Sequence, residues 1–370
     1  MDDLVAVLRP TPAMNVVPGS VSAGGVPPGG LRVGQLIDHR YQVVELLWSG
    51  ATAYVYRVRH PVLGRTFALK TLRAECCSDA EWVQRLSREA RMLATLSHPN
   101  IVAVVDSGWL PTGEPYFVME YAEGVSLESW IRQGPLEADV AAEVAIGICE
   151  ALEAAHELGI VHRDLKPENV WVERRGGVCS VKVLDFGLAQ SRGQPRLTHP
   201  STTYGTPVYM SPEQAEGASA DGRTDIYSLG VALYEMLCGR PPFDADTYLA
   251  LAHQHRYAPL PPFSRWLLPG SAGLRLEPVV ARCLEKDVAR RFESAARLRE
   301  ALEPFRARAE TVRLTPPAVR ALLGGWRMRT AVQAHPGASD GSAAALRYST
   351  LGWWMLVGSC LGGLISQLVR

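Results

Sequence analysis

His162-Arg163-Asp164-Leu165-Lys166-Pro167-Glu168-Asn169, with Asp185-Phe186-Gly187 beginning sixteen residues after Asn169, is the stretch that decides how this chain is read. Two carboxylates and an amide at that spacing suit phosphoryl transfer from a nucleotide. One carboxylate sits by the attacking hydroxyl, while the other and the amide oxygen hold magnesium on the phosphates. A polar loop between buried strands has no reason to keep this set together.

Upstream of that stretch, Tyr41–Leu47, Ala53–Val58 and Thr66–Leu72 read as successive strands, and two further strand-like runs end in Tyr116–Tyr121. Between them, residues 80–96 set Trp82, Leu86, Ala90, Leu93 and Leu96 at helical spacing. Beyond them the pattern predicts helices over roughly 126–132, 138–158, 224–238, 246–255, 276–285 and 294–304. The expectation is an α+β chain with a small β-rich lobe before a larger helical one and a ligand cleft between them.

The 370 residues are 47% apolar, enough for a sizeable core and against wholesale disorder. Formal net charge is zero, so no global field favours nucleic acid. The seven cysteines are scattered without metal-ligand spacing, which fits a reducing compartment. Lysine is scarce: Lys70, Lys166, Lys182 and Lys286 are the whole set. Residues 1–35 are rich in Pro, Gly, Ser and Val, read as a flexible leader, and lack the pattern of a secretory signal.

At the other end, residues 306–348 carry Arg306, Arg308, Arg313, Arg320, Arg327, Arg329 and Arg347 against only Glu310 and Asp340. An uncharged run, Thr350 to Val369, follows. Twenty apolar-rich residues at 1.5 Å each cross a bilayer core. We therefore expect a juxtamembrane linker over 306–348 and a transmembrane helix over 349–369, with the preceding chain cytoplasmic by the positive-inside tendency. A buried C-terminal helix is the alternative, favoured by Ser359, Ser366, Gln367 and the glycines. Gly358 and Gly362, echoed by Ser359 and Gly363, have the small-xxx-small spacing that lets membrane helices pair, or are incidental.

Over about residues 41–305 these motifs occur in the order found in bacterial eukaryotic-like Ser/Thr protein kinases, and the chain resembles that family. The resemblance implies a two-lobed protein-kinase fold for a domain spanning 36–305, with ATP and Mg2+ as cofactors and protein substrates as partners. Asp164 matches the catalytic base, and Lys166 matches the lysine that steadies the transferred phosphoryl and marks Ser/Thr specificity. Lys70 matches the strand lysine on the α- and β-phosphates, with Glu89 as its expected partner. Asn169 and Asp185 match the metal-holding pair. Nucleotide contacts are expected also from Leu47, Gly50, Val55, Ala68, Glu120, Ala122 and Trp171, with Met119 as gatekeeper before the hinge. Glu213 is expected to pair with Arg291, Thr206 to touch Asp164 and Lys166, and Asp225 to brace the catalytic loop.

The phosphate-covering loop departs from the family pattern. Trp48, Gly50 and Ala53 fall on the three glycine positions of G-x-G-x-x-G, and only the middle one survives. Trp171 stands where the family has a smaller residue under the adenine, and it either reshapes the pocket floor or is stacked core. Two readings stay open from these residues. The first is an active kinase in the bacterial inner membrane, single-pass, with a cytoplasmic catalytic domain, able to homodimerise. The second is a pseudokinase scaffold or nucleotide sensor. The complete set Lys70, Glu89, Asp164, Asn169 and Asp185 favours the first. Thr198, Ser201, Thr202 and Thr203 form a hydroxyl cluster that is either an activating autophosphorylation site, with Arg163 as phosphate dock, or an ordinary polar loop.

Overall fold

Alternating side chains build the first sheet of the computed structural model, which describes residues 30–50, 52–77, 95–176, 178–186 and 208–306. Leu36–Ile37 (β1) opens it, and in Tyr41–Ser49 (β2) Tyr41 and Val43 are buried while Gln42 is exposed. Tyr54, Tyr56 and Val58 of Ala53–Arg59 (β3), and Phe67 and Leu69 of Thr66–Leu72 (β4), join the same apolar layer. After the short helix Ala74–Cys77 (α1) come Val104–Trp109 (β5) and Pro115–Glu120 (β6). The six strands pair antiparallel in the order β1-β2-β3-β4-β6-β5. A period of two puts Ala68, Lys70 and Leu72 on the other face, where Ala68 and Leu72 pack with Phe117 and Met119. That second face is the roof of the cleft.

A second sheet, Val125–Ser126 (β7), Val170–Arg175 (β8) and Val178–Val183 (β9), underlies the cleft in the order β7-β8-β9. The sequence reading lacks this sheet, because its apolar alternation lasts only a few residues before Glu173-Arg174-Arg175 interrupts it. Val170, Val172, Val181 and Val183 are buried in the helical core, so Trp171 and Lys182 point to the opposite side.

The rest is helical: Leu127–Ile131 (α2), Ala138–Glu157 (α3), Pro212–Ala215 (α4), Gly222–Cys238 (α5), Tyr248–Tyr257 (α6), Glu277–Cys283 (α7) and Ala295–Leu302 (α8). All but α4, for which the sequence pattern predicts no helix, match the sequence-predicted spans within a few residues. Helix α5 starts where the Asp221 side chain accepts from the Arg223 N–H, and it stops at Gly239, whose φ of 72° suits glycine. Helices α3 and α5 are buried on most sides and pack on each other, with α8 and β9 against α3. Cys149, Cys238 and Cys283 sit in this core as small apolar groups.

The contact of α5 with α7 is set at Gly230. A Cβ there would stand 2.5 Å from the Cys283 Cβ and 3.2 Å from Leu284 Cδ2. Gly230→Ala is therefore expected to destabilise the fold by about 1–3 kcal/mol through overpacking, despite alanine's better helix propensity. A lowered urea midpoint at unchanged slope checks it.

Several expectations lie outside the described residues: residues 80–94 of the helix expected over 80–96, with Glu89, then Gly187, the hydroxyls Thr198, Ser201, Thr202 and Thr203, and Thr206. The leader before residue 30, the linker beyond Arg306 and the apolar run over 349–369 do so too. Among the described residues, no helix is long and apolar enough to cross a membrane.

Candidate active site

The loop between α3 and β8 carries His162 to Asn169, and it is braced from beneath. Asp225, fully buried on α5, accepts from the backbone N–H of His162 and of Arg163, both at 2.8 Å, and lies 2.8 Å from His156 Nε2. Arg163 has φ 66° and Asp185 φ 49°, left-handed values that non-glycine residues seldom hold unless the surroundings impose them. Here Asp225 imposes the first from the N–H side. Gln214 Nε2 imposes it from the other side, donating to the Arg163 carbonyl at 2.7 Å.

His162 is wholly buried and ties the loop to the Asp185 segment. Its Nε2 lies 3.0 Å from the Leu184 carbonyl, and the Asp164 N–H donates to its Nδ1 at 3.3 Å, which assigns the proton to Nε2. The Phe186 ring packs 4.8 Å from the imidazole. The Leu184 N–H donates to the Asn169 carbonyl at 2.8 Å, setting Asn169 beside Asp185.

The reactive groups converge on this frame. Lys70 Nζ lies 2.9 Å from Asp185 Oδ1, joining β4 of one lobe to the loop of the other. Burial works against ionisation of Asp185, but Lys70, with Lys166 behind it, holds the carboxyl below its ordinary value. Lys166 Nζ lies 3.3 Å from Asp164 Oδ2. Burial opposes the Lys166 charge, yet Asp164, Glu168 and Asp185 outweigh it and raise its pKa. The charged lysine and the ionised Asp185 therefore coexist across the neutral range.

Asn169 gives its Nδ2–H to the Asp164 carbonyl at 2.9 Å, which leaves Oδ1 as the acceptor for a cation. An amide oxygen and a carboxylate on adjacent segments fit magnesium, which takes few protein oxygens and completes its shell with phosphate and water. No group of three or more His, Cys, Asp or Glu able to cage a metal occurs among the described residues, and magnesium held in this way requires none.

Above and below the reacting groups lies an apolar slot. Ala68, Met119 and Ala122 are buried in one cluster, with Val55, Trp171 and Leu184 packed against it. Trp171 thus packs on the side of β8 away from the helical core, against the Ala68 and Met119 cluster. The Glu120 carboxylate accepts from Lys182 Nζ at 2.7 Å, so the hinge is tied to β9. Leu47 is half-buried where β2 shifts register against β3. The Gly50 N–H donates to the Ala53 carbonyl at 3.0 Å, and Ala53 is buried in β3 opposite Leu72.

The segment after the cleft closes as expected. Ser211 caps α4 in a reciprocal box with Gln214. Arg291 clasps Glu213 with two hydrogen bonds of 2.8 Å each, and Thr224 Oγ1 donates to Glu213 Oε1 at 2.7 Å. Burial disfavours the Glu213 charge, but the Arg291 fork overcomes it and lowers the pKa. His156, Gln214 and Lys182 are site-supporting residues that the sequence reading missed. Only Gln214 carried a readable signal, a Ser-x-x-Gln box.

Residues 41–302 match the protein kinase domain. Over 272 residues the chain is 40% identical to the serine/threonine-protein kinase PknB of Mycobacterium tuberculosis, covering 71% of this chain and 42% of that protein. It is 37% identical over 264 residues to PrkC of Bacillus subtilis, covering 71% and 40%. A probable serine/threonine-protein kinase of Corynebacterium efficiens is 38% identical over 277 residues, covering 72% and 41%. The chain thus spans about two fifths of the length of these relatives. The crystal structure of the Mycobacterium tuberculosis PknI kinase domain superposes with a TM-score of 0.58 at 27% identity, covering 75% of this chain and all of that one. The chain belongs to the protein kinase domain family, among the bacterial eukaryotic-like Ser/Thr kinases.

Proposed function

We propose that this chain is an ATP-dependent Ser/Thr protein kinase, held in the bacterial inner membrane by residues 349–369 with its catalytic domain in the cytoplasm. The observation that carries the enzyme reading is the meeting of Lys70, Asp185, Asn169, Asp164 and Lys166 in one cleft, on a loop held in a strained conformation by a buried carboxylate. When bound, ATP with magnesium supplies the γ-phosphoryl group and the cationic charge that offsets its oxygens. Asp164, exposed at the cleft, orients a substrate hydroxyl and accepts its proton. Lys166, kept protonated by its carboxylate neighbours, faces the anionic charge of the transferred group. Lys70 and Asp185 position the phosphate end, and Val55, Ala68, Ala122 and Trp171 enclose the base. A scaffold without activity has no need of this set.

The membrane reading rests on the uncharged run Thr350–Val369 behind seven arginines. The proposed autophosphorylation rests on Thr198, Ser201, Thr202 and Thr203 lying between Asp185 and Glu213, and the proposed homodimer on Gly358 and Gly362. Purified protein incubated with labelled ATP and magnesium should transfer label to Ser and Thr of itself and of a generic protein substrate. Failure of any transfer removes the enzyme reading. In cells, the full chain should pellet with membranes and a chain ending at residue 348 should not; equal fractionation removes the anchor.

A further inference from the structure

The turn between β2 and β3 is held by contacts that the nucleotide chemistry leaves unexplained. Trp48 pairs with Val55 just after a register shift in β2. Residues directly opposite in an antiparallel ladder share a face, and Val55 packs with the cleft cluster, so the indole belongs to the cleft side. The outer edge of its six-membered ring occupies the space that a Cβ on residue 50 would need, so with the indole in this position glycine is required there. Arg73, the first residue after β4, then holds the turn from outside. Its Nε donates to the Gly50 carbonyl at 2.6 Å and its Nη2 to Ser49 Oγ at 3.0 Å. Its backbone N–H donates to the Thr52 carbonyl at 2.9 Å, and its guanidinium lies 4.5 Å from the centre of the Tyr54 ring.

We propose that Arg73 is a positioning residue of the nucleotide site, fixing the phosphate-covering turn in place of the two family glycines that this chain replaces with Trp48 and Ala53. The inference rests on the kinase reading above. A loop rich in glycine adapts to phosphates by bending. This loop, stiffened by an indole on one side and a strand alanine on the other, has to be set beforehand. Arginine suits that role, because its planar fork engages a carbonyl and a hydroxyl together while stacking on an aromatic ring. Fixing the Gly50 carbonyl and the Ser49 hydroxyl from one guanidinium limits how far this turn can swing away from a bound phosphate. The guanidinium itself need not touch the nucleotide.

Calorimetric titration of the full chain with ATP·Mg2+ and, separately, with adenosine tests this. Arg73→Ala should weaken ATP about tenfold, the scale of one lost charge-assisted hydrogen-bond set, and leave adenosine within about twofold. In turnover, the KM for ATP should rise more than kcat falls. Ser49→Ala should lose less, and Arg73→Lys, a point charge without the fork, should recover only part of the affinity. A purely structural role would weaken ATP and adenosine together, and that result overturns the inference. Unchanged ATP affinity in Arg73→Ala, or in Ser49→Ala and Arg73→Lys should the alanine variant misfold, also overturns it. Wild-type protein that binds no ATP would instead overturn the kinase reading, and this inference with it.

Discussion

Asp164→Asn is expected to lower kcat by about 10²–10⁴-fold, the range that a positioned general base contributes, with little change in the KM for ATP or in melting temperature. The separation of effects follows from how the loop is built. What holds it are the backbone N–H groups of His162 and Arg163 on Asp225 and the Arg163 carbonyl on Gln214, none of which uses the Asp164 side chain. Asn169 binds the Asp164 carbonyl, which the substitution keeps. The 164 side chain is open to solvent, so the change leaves no buried group unpaired. What is lost is a proton acceptor beside the substrate hydroxyl and the anionic neighbour of Lys166. Lys70→Met should behave differently: it removes the partner of Asp185 at 2.9 Å and the phosphate contact, so KM for ATP rises as turnover falls. Steady-state kinetics on both variants beside wild type separate the two patterns. An Asp164→Asn enzyme within about tenfold of wild type would show that Asp164 is not the base.

Much of this site could be read from the sequence, and the reason is chemical. Asp164, Lys166, Asn169 and Asp185 are close in sequence because one loop and one strand end must present them together, so their spacing is itself the signal. The strands were legible for a related reason: Tyr54, Tyr56 and Val58 alternate with half-exposed partners over a full strand. The distant supports were not legible. His156 reaches Asp225 from the last turn of α3, sixty-nine residues away, and nothing around it distinguishes it from an ordinary helix-end histidine. Lys182 and Glu120 form an ion pair across sixty-two residues, visible only once β9 lies under the hinge. Arg73 looked like one of many arginines until the turn folded back onto it. Trp171 has two readings because strand alternation is short there, and the burial of Val170 and Val172 in the helical core fixes only which side of β8 it is on.

The largest stability effect should come from Arg291. Its side chain is fully buried, and besides the Glu213 clasp it donates to the carbonyls of Glu285 at 2.8 Å and Arg223 at 3.1 Å. Removing one partner of such a pair leaves the other charge buried without compensation, which costs about 3–5 kcal/mol. Arg291→Met should therefore lower the unfolding free energy by that amount at pH 7. Glu213→Leu combined with Arg291→Met should be less destabilised than the two single losses added together, because no charge is then stranded. The sign of the pH dependence follows from Glu213. Its pKa is lowered on folding, so the stabilisation is fully present above its unfolded value of 4.5 and is lost as pH falls through the folded value. The gap between wild type and Arg291→Met should be widest at neutral pH and narrow as pH falls, first as the stranded, buried Glu213 of the variant takes up a proton and then through the lowered wild-type value. Activity should fall as well, since α4 carries both Glu213 and the Gln214 amide that holds the Arg163 carbonyl in its left-handed turn. Urea titrations of wild type, both single variants and the double variant at several pH values measure the gap directly. A gap independent of pH would mean that Arg291 stabilises the fold through the backbone carbonyls and not through its carboxylate partner.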